Sequence, residues 1–209
     1  MAISLWLVPR ASQADKILPI MRLKPTTPLN SPSSFPAFHP HVTLASCPDA
    51  AALRAAIPPN QGPVPVHFKS LDGSEGRYFM AVYITVRTAG AQGAPLETLR
   101  AHLRECLGEK GAIPPVAHMS LYYIDEADRE ERARAVERLR SELRLLESRG
   151  PDGENIVRLA CVDELEESEG GEKEPVILDG FDGEEIWVVK CEGPVSEWEV
   201  MEKIPLVQS

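Results

Sequence analysis

The sequence predicts an α+β domain with largely antiparallel sheets, and three observations carry that reading. Helix-like and strand-like segments mix without a regular strand–helix–strand rhythm. Strands such as "VPVHFKSLDG" and "RYFMAVYITV", joined through the turn-like "DGSEG", read as hairpins. A short histidine-bearing strand in "FHPHVTLAS", Phe38 to Ser46, returns in "AHMSLYY", Ala117 to Tyr123, which implies two related lobes. With 209 residues, 43% of them hydrophobic, the chain suits one domain over residues 1–209 with enough apolar material for its own core.

Along the chain, "AISLWLV" alternates, with Ile3, Leu5 and Leu7 on one face and Ser4 and Trp6 on the other. That suits a strand with one face in a core and one lining something wetter. Residues 12–24 suit a helix opened by Ser12 as N-cap and kinked or shortened by Pro19. "PTTPLNSPSSFPAFHP" is a Pro/Ser-rich loop leading to the first histidine strand, and a short helix near Asp49 to Ala56 precedes the hairpin. In "GAPLETLRAHLRECLGEKG", Pro95 near the first helical position, Leu96, Leu99 and Leu103 at helical spacing and Gly108 as a stop predict another helix.

From Asp125, "DEADREERARAVERLRSELRLLESRG" sets Ala133, Val136, Leu139, Leu143 and Leu146 on one stripe, which predicts a long helix capped by Gly150 and lying on a sheet. Strands follow at "NIVRLACVDEL" and "EIWVVKCEG". Between them, residues 164–185 are acidic and Gly-rich and read as a mobile solvated loop. Ser196 and Glu199, in capping-box spacing, predict a turn or two of helix at the end.

A net charge of -10 and a pI near 5.0 argue against a protein that grips long nucleic acid, which needs a basic face to replace counterions. The first ten residues are too short an apolar run for a signal segment, and no later run reaches a membrane span. The expectation is a soluble cytoplasmic monomer without membrane contact. Cys47, Cys106, Cys161 and Cys191 form no C-x-x-C pair, so free thiols are the expectation and the disulfide state stays open.

Side chains alternate along a strand, so His41 and Thr43 project together, away from Val42 and Leu44; His118 and Ser120 do the same against Met119 and Leu121. If the two strands lie side by side, two imidazoles and two hydroxyls meet around one phosphate-sized volume. Opening a phosphodiester without a metal needs a base for water, an acid for the departing oxygen and donors for the phosphoryl oxygens, and these four groups supply all of them. One neutral and one protonated imidazole give a bell-shaped pH profile.

"HVTL" at His41 to Leu44 and "HMSL" at His118 to Leu121, with "SLWLVP" at the amino end, resemble the 2H phosphoesterase superfamily, named for two H-x-[ST] motifs, and most closely its cyclic nucleotide phosphodiesterase branch. The resemblance extends through "KSLDGSEGRYFMAVYI" and "CEGPVSEWEVMEKI". It implies a bilobal fold of two pseudo-symmetric lobes with the active site in the cleft between them. It also implies cofactor-free opening of ADP-ribose 1″,2″-cyclic phosphate to ADP-ribose 1″-phosphate, and of nucleoside 2′,3′-cyclic phosphates to 2′-phosphates, as with the by-products of tRNA splicing. Motif by motif, it carries catalysis to His41 and His118 and phosphate contact to Thr43 and Ser120.

The family also uses a tryptophan on the first strand, which points to Trp6, and an aromatic residue shortly after the second motif. The family match favours Tyr123 for the latter, whereas simple alternation puts Tyr122 on the His118 face; a bulge would reconcile the two. His118 is assigned as base and His41 as acid, an assignment the sequence leaves open.

Rival readings have their own requirements. His39, His41 and His118 invite a metal, but neither motif holds the carboxylate or cysteine that such sites commonly recruit, so none is expected. His39, before Pro40, is expected to be an exposed loop residue, and His67 and His102 a strand and a helix residue. Arg10, Lys69 and Arg77 are candidate phosphate helpers that ordinary surface charge explains equally well. An RNA-end-processing relative, a 2′,5′ ligase or 3′ exonuclease, would want a basic path. A catalytically idle nucleotide-binding module would have no need of intact histidines and hydroxyls in both motifs.

Overall fold

The computed structural model describes residues 3–73, 81–150, 153–161 and 175–207. Its first strand, β1 (Ile3–Pro9), is buried along its whole length. Ile3, Leu5 and Leu7 join the main core, while Trp6 and Val8 form a second apolar cluster with Trp187 and Val189. α1 (Ala11–Met21) starts one residue before Ser12, receives no side-chain cap from Arg10, and ends two residues after Pro19. β2 (Val42–Cys47) and α2 (Ala50–Ala55) follow; the Asp49 carboxylate caps α2 by accepting from the N–H groups of Ala51 and Ala52 at 2.9 and 3.2 Å.

β3 (Val64–Asp72) and β4 (Ala81–Val86) pair antiparallel from Phe68↔Val86 to Asp72↔Tyr83, as hairpin arms do. Residues 74–76 of the turn expected at "DGSEG", and residues 77–80 of the strand expected from Arg77, lie outside the described residues. α3 (Gly90–Leu107) begins before Pro95 and stops at Gly108, whose φ of 50° an L side chain tolerates poorly. β5 (His118–Tyr123) precedes α4 (Glu130–Ser141).

Three expectations are corrected beyond this point. The helix predicted to run to Gly150 ends at Ser141. Leu143 turns the chain at φ 54° with 67% of its surface exposed, and β6 (Leu145–Arg149) pairs with β7 (Asn155–Cys161) around the turn that holds Gly150. The inward stripe of α4 is Glu131, Ala135 and Leu139, with Val136 partly buried against the core; of the predicted series Val136 and Leu139 face inward, and Ala133 is exposed. Burial of Leu145 against β7 outweighs the helical propensity of the charged run.

The acidic span 164–185 is not a loop throughout, because β8 (Val176–Leu178) and the first half of β9 (Gly180–Lys190) fall within it; its residues 164–174 lie outside the described ones. The terminal segment is not helical either. Ser196 sits in a 3-10 turn, and β10 (Glu199–Pro205) pairs with β9 from Glu199↔Lys190 to Pro205↔Glu185, satisfying backbone groups along that side of β9.

The strands are antiparallel throughout the large sheet, which runs β1-β2-β5-β4-β3-β9-β10; β1 also pairs β9, so the sheet closes on itself. β6, β7 and β8 form a second sheet. Ile17 and Ile20 of α1, Leu53 of α2 and Leu96, Leu99 and Leu103 of α3 pack with Leu5, Leu7, Val42, Leu44, Ile84, Met119 and Leu121 in the main core. The helices thus take one face of the sheet and leave the other to polar and aromatic side chains.

Asp128 ties the loop before β2 to the start of α4: its carboxylate accepts from the N–H groups of Asn30 and Ser31 at 2.7 and 3.0 Å and from the Ser34 hydroxyl at 2.7 Å. These bonds hold its pKa below the usual carboxylate value. No helix among the described residues is long and apolar enough to cross a membrane. All four cysteines are free thiols, with Cys47 and Cys161 buried.

Candidate active site

β2 and β5, the two histidine strands, are neighbours, paired antiparallel at Val42↔Met119. Counting outward from that pair sets His41 level with Ser120 and Thr43 level with His118, all on the face away from Val42 and Met119. Four groups that lie apart in sequence therefore share one patch of sheet.

Each motif also repeats a local backbone. β1 pairs β2 as Leu5↔Ala45 and then Trp6↔Thr43, which leaves Leu44 as an extra residue; β4 pairs β5 as Val82↔Tyr122 and then Tyr83↔Ser120, which leaves Leu121 extra. A bulge at the leucine of each H-x-[ST]-L reverses the alternation beyond it. The residue five after each histidine, Ser46 or Tyr123, then returns to the polar face, and Tyr122 turns into the core, donating its hydroxyl to the Ile20 carbonyl at 2.7 Å. Burial raises the Tyr122 pKa and holds the phenol neutral, outweighing the opposite pull of the Arg138 and Arg144 guanidinium groups. Tyr123 instead shares a hydrogen bond with the Ser120 hydroxyl and packs on Phe38, with centroids 4.9 Å apart.

The histidines are fixed in the same way. His41 Nδ1 lies 2.7 Å from the His39 carbonyl and His118 Nδ1 lies 3.0 Å from that of Val116. A carbonyl only accepts, so each Nδ1 carries the hydrogen, and Nε2 is the basic nitrogen of each neutral ring. His41 is 4% exposed, and loss of hydration drives its pKa down to about 3, helped by repulsion from His118 and His39. His118 is half-buried; burial lowers its pKa too, with a further push from the Arg100 guanidinium.

An aromatic ring braces each imidazole, and it comes from the residue facing the motif's hydroxyl. Trp6, opposite Thr43, stacks on His41 at 3.6 Å and 8°. Tyr83, opposite Ser120, meets His118 edge-on at 5.0 Å and 62°. Trp6 is 4% exposed, so the structure places it beneath His41 and leaves little of its surface for a ligand.

Beyond His118 lies a polar row that sequence reasoning missed. Thr85 faces His118 and holds Ser70 with their hydroxyl oxygens 2.6 Å apart, while the Tyr83 hydroxyl donates to Asp72 at 3.0 Å. The signal was present in "AVYITV", where Tyr83 and Thr85 alternate with Val82, Ile84 and Val86.

His39 is a correction: it is half-buried, packed at 4.5 Å on Trp187, and its carbonyl orients His41. Arg10 lies within 3.6 Å of Asp182, Lys69 is exposed, and Arg77 falls outside the described residues. Among the described residues, no three histidines, cysteines or carboxylates come together to hold a metal ion.

No curated protein matches the chain. The model of the family described as "Cyclic phosphodiesterase-like protein" matches residues 112–206. That span contains His118, Ser120, Tyr123 and β9, and over it the chain is similar to the cyclic phosphodiesterase-like family, which is consistent with the 2H phosphoesterase superfamily.

Proposed function

We propose that the protein hydrolyses small cyclic phosphodiesters without a metal, opening ADP-ribose 1″,2″-cyclic phosphate to ADP-ribose 1″-phosphate and nucleoside 2′,3′-cyclic phosphates to 2′-phosphates. The pairing of Val42 with Met119 carries the reading, because it gathers two imidazoles, each anchored through Nδ1, and two hydroxyls on one face. The family match supports the coarser part, a cyclic phosphodiesterase.

In the reaction so read, the phosphate lies against the Thr43 and Ser120 hydroxyls. His118, the more accessible imidazole, takes a proton from water at Nε2 as the oxygen attacks phosphorus; the bond to the 3′-oxygen (1″,2″-phosphates: the 2″-oxygen) breaks, and His41 Nε2–H supplies that oxygen with its proton. In the free site His41 is neutral at pH 7, because its pKa is about 3. The anionic substrate has to restore the proton by favouring the imidazolium, so binding takes up a proton. After turnover His118 holds the extra proton and His41 has lost one, and exchange with solvent resets the pair. Trp6 keeps the His41 ring in place, and Tyr123 fixes the Ser120 hydroxyl.

The test is phosphorus NMR of 2′,3′-cyclic AMP and ADP-ribose 1″,2″-cyclic phosphate incubated with the purified protein in EDTA, beside His41→Ala and His118→Ala. Formation of the 2′- and 1″-phosphates, lost in both variants, is the expected result. No turnover, or turnover that survives either substitution, overturns the reading.

A further inference from the structure

Trp198 follows the 3-10 turn Val195–Glu197 and presents its ring edge-on to two residues of the site: to Trp6 at 5.8 Å and 60°, and to Tyr123 at 5.7 Å and 75°. Those two rings brace His41 and Ser120, which the register sets level with each other. Trp198 therefore stands on the His41 side of the motif pair. Its indole Nε1 is buried, and no acceptor among the described residues reaches it. A neighbour shows what is usual: Trp187, in the cluster on which Trp198 packs, donates its indole N–H to the Glu185 carboxylate at 2.5 Å. A buried indole N–H normally has a partner, because desolvating a donor without one is unfavourable. Here the unpaired donor belongs to a ring packed on Trp6 and Tyr123, and Trp6 in turn stacks on His41.

The rings that Trp198 meets frame the phosphate site, where the sugar and base of a nucleoside cyclic phosphate would lie. We propose that Trp198 is a substrate-binding residue, its indole Nε1–H donating a hydrogen bond to an acceptor on the nucleoside part of the cyclic phosphate, a ring nitrogen or carbonyl oxygen of the base. The proposal rests on the hydrolase reading for a nucleoside cyclic phosphate lying in this site. It makes Trp198 a residue that favours nucleoside cyclic phosphates over cyclic phosphates that lack a base.

Trp198→Phe keeps an aromatic edge and removes the donor. Steady-state kinetics of 2′,3′-cyclic AMP and of glycerol 1,2-cyclic phosphate separate the two roles of the ring. The expected result is a KM for the nucleotide raised roughly tenfold, with kcat changed by less than about threefold. The base-free ester should lose clearly less in kcat/KM. Equal losses on both compounds, or none on the nucleotide, overturn the proposal and leave Trp198 as packing.

A second measurement uses the unaltered protein and needs no turnover. The Trp198 Nε1–H proton resonance should move downfield and gain protection from exchange when adenosine 2′-phosphate is added, and should do neither with inorganic phosphate. A resonance indifferent to the nucleotide overturns the proposal even if hydrolysis is observed. A response to the nucleotide in a protein that hydrolyses neither cyclic phosphate upholds the donor while the hydrolase reading fails.

Discussion

His41 and His118 occupy the same place in two copies of one local backbone, and their neighbours make them different groups. Both donate Nδ1–H to the carbonyl two residues back, both precede a bulge at the motif leucine, and both lean on a ring from the adjacent strand. In the first copy the ring is a tryptophan stacked flat at 3.6 Å, and His41 is closed off from solvent. In the second it is a tyrosine met edge-on at 5.0 Å, and His118 stays half-open beside Thr85 and Tyr83. The repeated backbone decides which nitrogen faces the site; the unlike neighbours decide how readily that nitrogen holds a proton.

The hardest blow to the comparison is removal of either ring. His41→Ala and His118→Ala should each lower kcat about a thousandfold, the range of a lost general acid or base. If the two act as one proton-exchanging pair, the double variant should fall little further than either single one. Losses that multiply would mean that the histidines work independently.

The pH profile sharpens the comparison. Both imidazoles have pKa values below 6.5 in the free site, His41 at about 3. In the proposed mechanism the active form has one proton between them, so it is the main form only below pH 6.5 and declines as pH rises. The expectation is a kcat/KM maximum on the acid side of pH 6.5, with a fall approaching tenfold per pH unit above it. Bound phosphate raises both values, so the kcat profile should sit at higher pH. Coincident kcat and kcat/KM profiles would show that the substrate does not recharge His41.

Trp6→Leu acts on one copy alone. Without the stacked ring, water reaches His41, and its pKa should climb back towards 6.5. Loss of ring alignment should lower kcat roughly ten- to hundredfold. The acid limb of kcat/KM should move to higher pH, and the profile should narrow, as the two pKa values converge. Histidine NMR titration of the free variant checks the first point, and an unmoved His41 would assign its low pKa to the loop that precedes β2 instead of to Trp6.

Much of this was legible in the sequence wherever a single period governs a segment. β1, β2, β5 and the apolar positions of α3 follow directly from alternation or helical spacing. Where long-range pairing competes with local pattern, the pattern misleads. The run after Ser141 has helical spacing, but Leu145 is buried by pairing with β7; the segment after Trp198 has capping-box spacing, but β9 has backbone groups to satisfy. In the acidic stretch, composition alone makes Gly180 and Gly183 loop residues. They mark close approach instead: a Cβ at Gly180 would collide with the Val66 carbonyl, and one at Gly183 with the Leu7 side chain. Of the site, the two motifs were legible from chemistry and repetition. The bracing of His118 by Tyr83 and the placement of Trp198 depend on which strands become neighbours, which no local pattern records.

The smallest expected effect tests the bulge. Simple alternation gives Tyr122 to the site and Tyr123 to the core, and the extra residue at Leu121 exchanges them. Tyr122→Phe removes a hydroxyl that donates to the Ile20 carbonyl inside the core, so it should lower stability by about 1 kcal/mol and leave kcat and KM near their original values. Tyr123→Phe removes the partner of the Ser120 hydroxyl, so it should leave the melting temperature nearly unchanged and raise KM a few-fold, about 3-fold for one neutral hydrogen bond acting through another group. Thermal melts and steady-state kinetics of the two variants read the exchange directly. The opposite pattern, kinetics moved by Tyr122 and stability by Tyr123, would mean that β5 runs without the bulge and that the second motif does not repeat the backbone of the first.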